Sequence, residues 1–191
     1  IYDKRNQKFE TNDGYLSTYS VDLPVLSDTS TFTNRYKYKK FEELYENNIS
    51  TISFSVQTSN SLNGENIKLS ERLFVPARNL RGFEVGKIGP KDGDSYIGGN
   101  FVTSVNATST LPRLTENIQN VDLGIFLDAA NVWGVDYDSS LEKNNEIRSS
   151  VGIGIDWSTV IGPMSFSLSQ PITKSKTDVT ETFRFNIGTS F

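Results

Sequence analysis

The feature that most constrains the fold is an alternation of apolar and polar residues with a period of two. It runs through three segments near the C-terminus: VGIGIDW (151–157), MSFSLSQ (164–170) and TFRFNIGTSF (182–191). In the last of these, Phe183, Phe185 and Ile187 alternate with polar residues or glycine. Because successive side chains of a β-strand point to opposite faces, the pattern predicts strands with one apolar face.

Less regular alternating segments lie upstream and bring the expected number of strands to about nine. Helix is scarce, and the best candidate is FEELYENN (41–48), which could equally extend a strand. The connections alternate in length: STVIGP and LPRLTENIQN are short, whereas GVDYDSSLEKNNEIR and residues 82–99 are long and polar. One end with short turns and one with long loops is typical of outer-membrane β-barrels.

Composition excludes several classes of function. The chain has no cysteine and no histidine, which excludes disulfides, thiolate metal sites and Ser-His-Asp triads, and no enzymatic activity is expected. The net charge is -4 and no dense Lys/Arg tract is present, which argues against a nucleic-acid partner. No segment approaches the roughly 18 apolar residues of a membrane-spanning helix.

Two arrangements of such strands remain open. In a soluble β-sandwich the apolar faces would meet each other, and in a transmembrane barrel they would meet lipid while the polar faces line water. The polar faces consist mostly of Ser, Thr, Asn and Gly, which are too small and too hydrated to fill a dry core. Aromatic residues at strand ends, such as Tyr15, Trp133 and Trp157, suit an interfacial girdle and favour the barrel.

Five motifs then carry a resemblance to a known family. They are NLRGFEVGKIGP (79–90), GGN (98–100), FLDAANVWG (126–134), GIGIDWSTVIGPMSFSLSQP (152–171) and ETFRFNIGTSF (181–191). Their order and spacing resemble the C-terminal half of the outer-membrane protein assembly factor BamA family of bacterial surface antigens. The resemblance implies an antiparallel transmembrane β-barrel of sixteen strands. Residues 1–191 would supply its C-terminal portion, without the POTRA domains and the first barrel strands.

The resemblance also implies a luminal latch. It places the Arg-Gly-Phe motif, Arg81, Gly82 and Phe83, inside the barrel against a strand that carries Phe126 and Asp128. A guanidinium inside a narrow lumen needs acceptors, and it can bind a carboxylate while stacking on an aromatic ring. Independently of the resemblance, the alternation of side chains along a strand places Asp128 on the face opposite the apolar residues. The alternative is that Arg81 is an exposed turn residue and Asp128 a strand-end cap.

Two positions depart from the family pattern. Ala130 stands where the Phe-x-Asp-x-Gly motif has glycine, and Thr108 stands where an acidic residue is expected. Arg81 is therefore expected to have one carboxylate partner instead of two.

The C-terminal strand carries the second motif. The alternation of Phe183, Phe185 and Ile187, followed by Gly188 and the final aromatic Phe191, resembles the β-signal of barrel precursors. In the family, this strand meets the first strand at a weakly paired seam, which opens so that a substrate strand can add to the edge. The alternative is that any last lipid-facing strand would show the same alternation.

The leading functional hypothesis is assembly of other β-barrel proteins in the bacterial outer membrane. The expected partners are outer-membrane lipid, nascent β-barrel substrates and accessory lipoproteins of the assembly complex, and no cofactor is required. A second hypothesis keeps the fold but passes a soluble polypeptide through the pore, as in two-partner secretion transporters, which share the Arg-Gly-Phe loop. A third is a soluble β-sandwich adhesin.

Overall fold

The computed structural model describes residues 1–8, 11–24, 30–115, 120–160 and 162–188. Nine strands form one antiparallel sheet, in which neighbouring strands follow each other along the chain. They are β1 (Tyr2–Asp3), β2 (Gly14–Asp22), β3 (Thr31–Glu42), β4 (Ser50–Ser61), β7 (Phe101–Thr110), β8 (Val121–Trp133), β9 (Arg148–Thr159), β10 (Gly162–Thr173) and β11 (Phe183–Ile187). The predictions of an all-β antiparallel fold and of about nine strands are confirmed.

One face of the sheet, here called the bare face, carries the apolar side chains of the alternating pattern. In β8, Ile125 and Leu127 are about half exposed on this face, whereas Phe126 and Asp128 are buried on the other. The same face carries Ile52, Phe54, Val105, Val151, Ile153, Ile155, Trp157, Leu168, Phe183, Phe185 and Ile187. Within the described ranges no second sheet packs on these side chains. The packed pair of apolar faces that a β-sandwich requires is therefore absent from that part of the chain.

The other face, here called the covered face, is crossed by the connection between β4 and β7, residues 62–100, which we call the inner segment. It contains two 3-10 turns, Leu69–Glu71 and Ala77–Asn79, and a small hairpin of β5 (Lys91–Asp92) and β6 (Ser95–Tyr96). A buried cluster lies between the inner segment and the sheet: Leu73, Val75, Leu80, Phe83, Ile88, Val102, Ala130 and Val132. The apolar core of this chain is therefore under the inner segment.

The connections differ in length between the two ends of the sheet, as the sequence predicts. The two longest connections, residues 62–100 and 134–147, join strands at one end, and residues 43–49 join β3 to β4 at the other. The segment FEELYENN is not a helix. Phe41 and Glu42 complete β3 opposite Thr51 and Ser50, and the chain then turns through Asn47, which has a positive φ of 60°.

Helical structure is limited to short pieces in the parts of the chain that the structure describes. The α-helix α1 (Pro112–Thr115) is a single turn between β7 and β8. No helix there is long and apolar enough to cross a bilayer.

Candidate functional site

The inner segment carries Arg81, which binds Asp128 in the middle of β8. The Nε of Arg81 lies 2.7 Å from Oδ2 of Asp128, and its Nη2 lies 2.8 Å from Oδ1. The main-chain N–H of Arg81 donates to the same Oδ2 at 3.1 Å. Asp128 is completely buried. Such a two-point contact between a guanidinium and a carboxylate defines both the position and the orientation of the arginine.

An aromatic ring supports the same guanidinium from the sheet side. The guanidinium carbon of Arg81 lies 3.4 Å from the centroid of the Phe126 ring, which is itself buried. Phe126 precedes Asp128 by two residues, so both side chains project from the same face of β8. A cation stacked on an aromatic face in a water-poor site is stabilised by about 2 kcal/mol.

Gly152 makes room for the Phe126 ring. It lies opposite Phe126 in the pairing of β8 with β9. A Cβ at position 152 would lie 2.4 Å from Cζ of Phe126 and 2.2 Å from the main-chain oxygen of Leu168. At Gly154 the nearest atoms would be 3.8–4.0 Å away, which is ordinary contact. The ring is therefore seated in a slot that only glycine at position 152 permits.

Gly82 lets the motif lie directly on the sheet. Its φ is +89°, a conformation that favours glycine, and a Cβ there would lie 3.1 Å from Cβ of Ser150 and 3.2 Å from Cβ of Ser169. The Ser150 hydroxyl donates to the carbonyl oxygen of Arg81. The backbone at residues 81–82 is thus held against β9 and β10.

Phe83 anchors the motif to the connection between β10 and β11. Its side chain is buried in the core cluster, and its backbone forms an antiparallel bridge with Thr180. The Glu84 N–H donates to the Val179 carbonyl at 3.0 Å, and the Glu181 N–H donates to the Gly82 carbonyl at 3.0 Å. The structure therefore brings the five residues predicted for the latch together: Arg81, Gly82, Phe83, Phe126 and Asp128.

The site contains a residue that the sequence analysis did not single out. Asn106 lies opposite Asp128 in the β7–β8 pairing, and its Nδ2 donates to Oδ1 of Asp128 at 2.9 Å and to the Asn79 carbonyl at 2.8 Å. Thr108 lies opposite Phe126, two residues along β7 from Asn106, and so it does not face the carboxylate directly. Among the described residues, Asp128 is the only carboxylate paired with Arg81. An amide therefore completes the hydrogen bonding of Asp128.

The other departure from the family pattern has a packing role here. Ala130 is buried in the core cluster between β8 and the inner segment. Its methyl group contributes to that cluster, where glycine would leave space.

Two further arginines hold the connections in place at the end of the sheet that carries the long ones. Arg148, at the start of β9, binds Asp178 through two contacts of 2.9 and 3.1 Å, and both side chains are fully buried. Arg72 binds Asp136 and donates to Oδ1 of Asn100 at 3.1 Å. Burial alone would raise the pKa of Asp136, but the N–H of Ile67 and the Arg72 guanidinium outweigh it and lower that pKa below its ordinary value.

Beside Arg81 lies an open space of about 830 Å³, lined by residues 76–79 of the inner segment and by residues of β2–β4, β7 and β9–β11. Basic side chains that line it include Lys37, Lys39 and Arg78, and Asp156 lines it from β9. The covered face thus combines a dry core under one part of the inner segment with a wide polar space next to it.

The predicted C-terminal motif lies in a different environment. Phe183, Phe185 and Ile187 are 54%, 41% and 61% exposed on the bare face, and Phe185 stacks on Phe166 of β10 with ring centroids 4.8 Å apart. Gly188 follows β11 with a positive φ of +93°. Phe191 lies outside the described residues. The sequence-predicted residues therefore form two groups, one buried around Arg81 and one on the exposed face of β11.

Comparisons with known proteins agree with this architecture. Residues 1–191 match the Omp85 superfamily domain. The outer membrane protein assembly factor BamA of Neisseria meningitidis serogroup B is 31% identical over 140 residues, which is 59% of this chain and 18% of that protein. The corresponding protein of Neorickettsia risticii is 27% identical over 131 residues, which is 67% of this chain and again 18% of the relative.

A solved structure shows the same fold. The crystal structure of BamA from Haemophilus ducreyi lacking POTRA domains 1–3 superposes with a TM-score of 0.83 and 25% identity, over 96% of this chain and 40% of that one. The chain spans 18% of the length of each of the two curated relatives. The chain belongs to the Omp85 superfamily of bacterial outer-membrane proteins.

Proposed function

We propose that this chain is part of an outer-membrane β-barrel that inserts and folds other β-barrel proteins through a lateral seam. The observation that carries the proposal is the bare face of the sheet, on which the alternating apolar side chains are about half exposed as far as Phe183, Phe185 and Ile187 of β11. An exposed strand edge offers main-chain donors and acceptors to an incoming strand. The relatives that bear the name of assembly factor support the same role.

In this proposal the nine strands are the C-terminal portion of a sixteen-stranded barrel. The bare face contacts lipid, because a row of half-exposed Ile, Leu, Val and Phe side chains suits the apolar band of a barrel. The covered face lines the lumen, and the inner segment lies inside it. The end with the long connections faces the outside of the cell, as in other outer-membrane barrels.

The Arg81 site then acts as a latch for the inner segment. Asp128, Phe126 and Gly152, which hold Arg81, all belong to the sheet. The segment therefore stays in the lumen while the seam opens. A substrate strand would add to the edge of β11 through main-chain hydrogen bonds, with its own apolar side chains beside Phe183 and Phe185. This mechanism requires no catalysis and no cofactor. Nascent barrel proteins, lipid and accessory lipoproteins are its proposed partners.

A reconstitution experiment tests the proposal. The complete protein is placed in lipid vesicles with a urea-unfolded barrel substrate, and folding is followed by the heat-modifiable mobility of that substrate. A cysteine at Ile187 and a cysteine in the last strand of the substrate report on contact by disulfide formation. Faster folding than in empty vesicles, together with a trapped disulfide, is expected.

The same vesicles discriminate the secretion alternative. A transporter would carry a soluble polypeptide across the bilayer and would leave the barrel substrate unfolded. Protection of such a polypeptide from external protease, with no gain in substrate folding, would contradict the insertase proposal.

A further inference from the structure

The strand β11 is short, and it differs along its length on the covered face. Its five residues pair with Met164 to Leu168 of β10, and the Gly188 N–H donates to the Pro163 carbonyl at 2.8 Å beyond the last of them. On the covered face it presents two side chains, Arg184 and Asn186, and these differ in burial. Arg184 is 8% exposed, whereas Asn186 is exposed. On the covered face, the half of β11 that contains Arg184 is therefore held differently from the half that contains Asn186.

Arg184 contacts the inner segment at two separate points. Its Nη1 donates to the Ala77 carbonyl at 2.7 Å, and its Nη2 donates to the Phe83 carbonyl. Its Nε donates to Oε2 of Glu181 at 2.9 Å, in the connection that leads into β11. One planar guanidinium thus joins the end strand to the inner segment on both sides of Arg81.

The groups that Arg184 binds are themselves held in place. Phe83 belongs to the core cluster and bridges Thr180, and Arg81 is bound to Asp128 two residues earlier. The connection before β11 is also fixed, because Asp178 is bound to the fully buried Arg148. Arg184 therefore links β11 to a firmly held region of the inner segment.

We propose that Arg184 is a positioning residue that fastens β11 to the inner segment and sets where the end strand can separate from the sheet. The strand opens from its Ile187 end, where the covered side is exposed, and the opening stops at Arg184. The relevance of this opening to substrate entry rests on the proposed insertase function. The attachment of β11 to the inner segment through Arg184 does not depend on that function.

The chemistry of the contact requires arginine. The acceptors at residues 77 and 83 are main-chain carbonyls, which an arginine can reach together because its donors form a rigid planar fork. Glutamine offers one amide group and no charge. Lysine keeps the charge, and with it the attraction to Glu181, but its single ammonium cannot bridge two carbonyls in the same geometry.

Hydrogen–deuterium exchange of the complete protein in lipid, without substrate, tests the proposal. Arg184→Gln is expected to accelerate exchange of the amides of residues 183–187 about tenfold or more, since hydrogen bonds to a charged donor are lost. Exchange in β7 and β8 is expected to stay unchanged, which a general loss of stability would not allow. Arg184→Lys is expected to give an intermediate acceleration.

Arg35→Gln is the matched control. Arg35 is also a paired arginine on the covered face, but its partners are Asp22 and Gln57, which belong to β2 and β4. Unchanged exchange of β11 in this variant, with acceleration in Arg184→Gln, supports the proposal. Equal rates in Arg184→Gln and the unmodified protein would overturn it, as would equal acceleration in the two variants.

The test also covers a variant that does not fold and a protein that does not fold barrel substrates. If Arg184→Gln does not fold, the folded Arg184→Lys variant carries the test, and wild-type exchange in that variant would overturn the proposal. If exchange of β11 accelerates as expected while the reconstituted protein fails to fold barrel substrates, the fastening stands and the insertase proposal fails.

Discussion

The Arg81 site and the end strand β11 lie in the same sheet but are held in opposite ways. The Arg81 site is bound to β8, which has a neighbour on each side, and its carboxylate is fully buried. β11 has one neighbour in the described structure and carries exposed phenylalanines. The sequence marks both regions with aromatic and glycine motifs, yet Phe126 is buried at the Arg81 site, whereas Phe183 and Phe185 are exposed on β11.

The two regions are expected to differ in how much a disruption costs. Removing one partner of a buried ion pair costs about 3–5 kcal/mol because the other charge is left unpaired. Separating the end of an edge strand breaks few hydrogen bonds, and water or another strand can replace them. The following variants test this contrast, from the largest expected effect to the smallest.

Asp128→Ala is expected to have the largest effect. It leaves Arg81 without its carboxylate and removes the acceptor of Asn106, so a loss of about 3–5 kcal/mol in the free energy of unfolding is expected. Urea-induced unfolding of the complete protein in detergent measures it. Asp122→Ala is the matched control, because Asp122 lies on the same face of β8 but is exposed.

A double-mutant cycle isolates the contact itself. Combined with Arg81→Ala, Asp128→Ala is expected to be non-additive by about 0.5–3 kcal/mol. Additive losses would contradict the ion pair and remove the contrast between the two regions.

Gly152→Ala tests the slot for the Phe126 ring. The added methyl group would overlap both the ring and the main chain of β10, and such overpacking costs about 1–3 kcal/mol. Gly154→Ala is the matched control, since its Cβ would have ordinary contacts. Thermal unfolding of the two variants measures the difference, and equal losses would argue against the slot.

A pair of phenylalanine variants compares the two regions directly. Phe126→Leu removes the ring under Arg81 and is expected to lower the free energy of unfolding by about 1–2 kcal/mol. Phe185→Leu exchanges one apolar side chain for another on the bare face, and a smaller loss is expected there. In the Arg81→Ala background, Phe126→Leu should lower the free energy of unfolding by less than it does in the unmodified protein. An equal loss in both backgrounds would exclude the stacking contribution.

Acidification is expected to have the smallest effect, on the loop contact of Arg72. The pKa of Asp136 is lower in the folded protein than its ordinary value of 3.8, so the unfolded chain binds protons more readily and stability rises with pH. The contribution is complete above 3.8 and is lost as the pH falls through the lower, folded value. The free energy of unfolding of Asp136→Asn, measured across this pH range, tests the prediction. Its difference from the value of the unmodified protein should disappear in acid.

The two predicted motifs differ in how far they could be understood from the residues alone. The strand alternation places Phe126 and Asp128 on one face without any knowledge of their neighbours, and family resemblance supplies Arg81. The hydrogen bond from Asn106 to Asp128 could not be anticipated in the same way, because it depends on which residue of β7 lies opposite Asp128. The helix considered for FEELYENN is wrong for a related reason: the pairing of β3 with β4 continues through Glu42, and a tight turn follows.

By itself, the sequence determined the strands, their apolar faces and the membership of the superfamily, because side-chain alternation and short motifs are local properties of the chain. Tertiary structure alone decided which charges meet. Arg184 reaches a carbonyl 107 positions away and Arg148 a carboxylate 30 positions away. Such contacts depend on strand register and on the path of the inner segment across the sheet, which no local pattern of residues encodes.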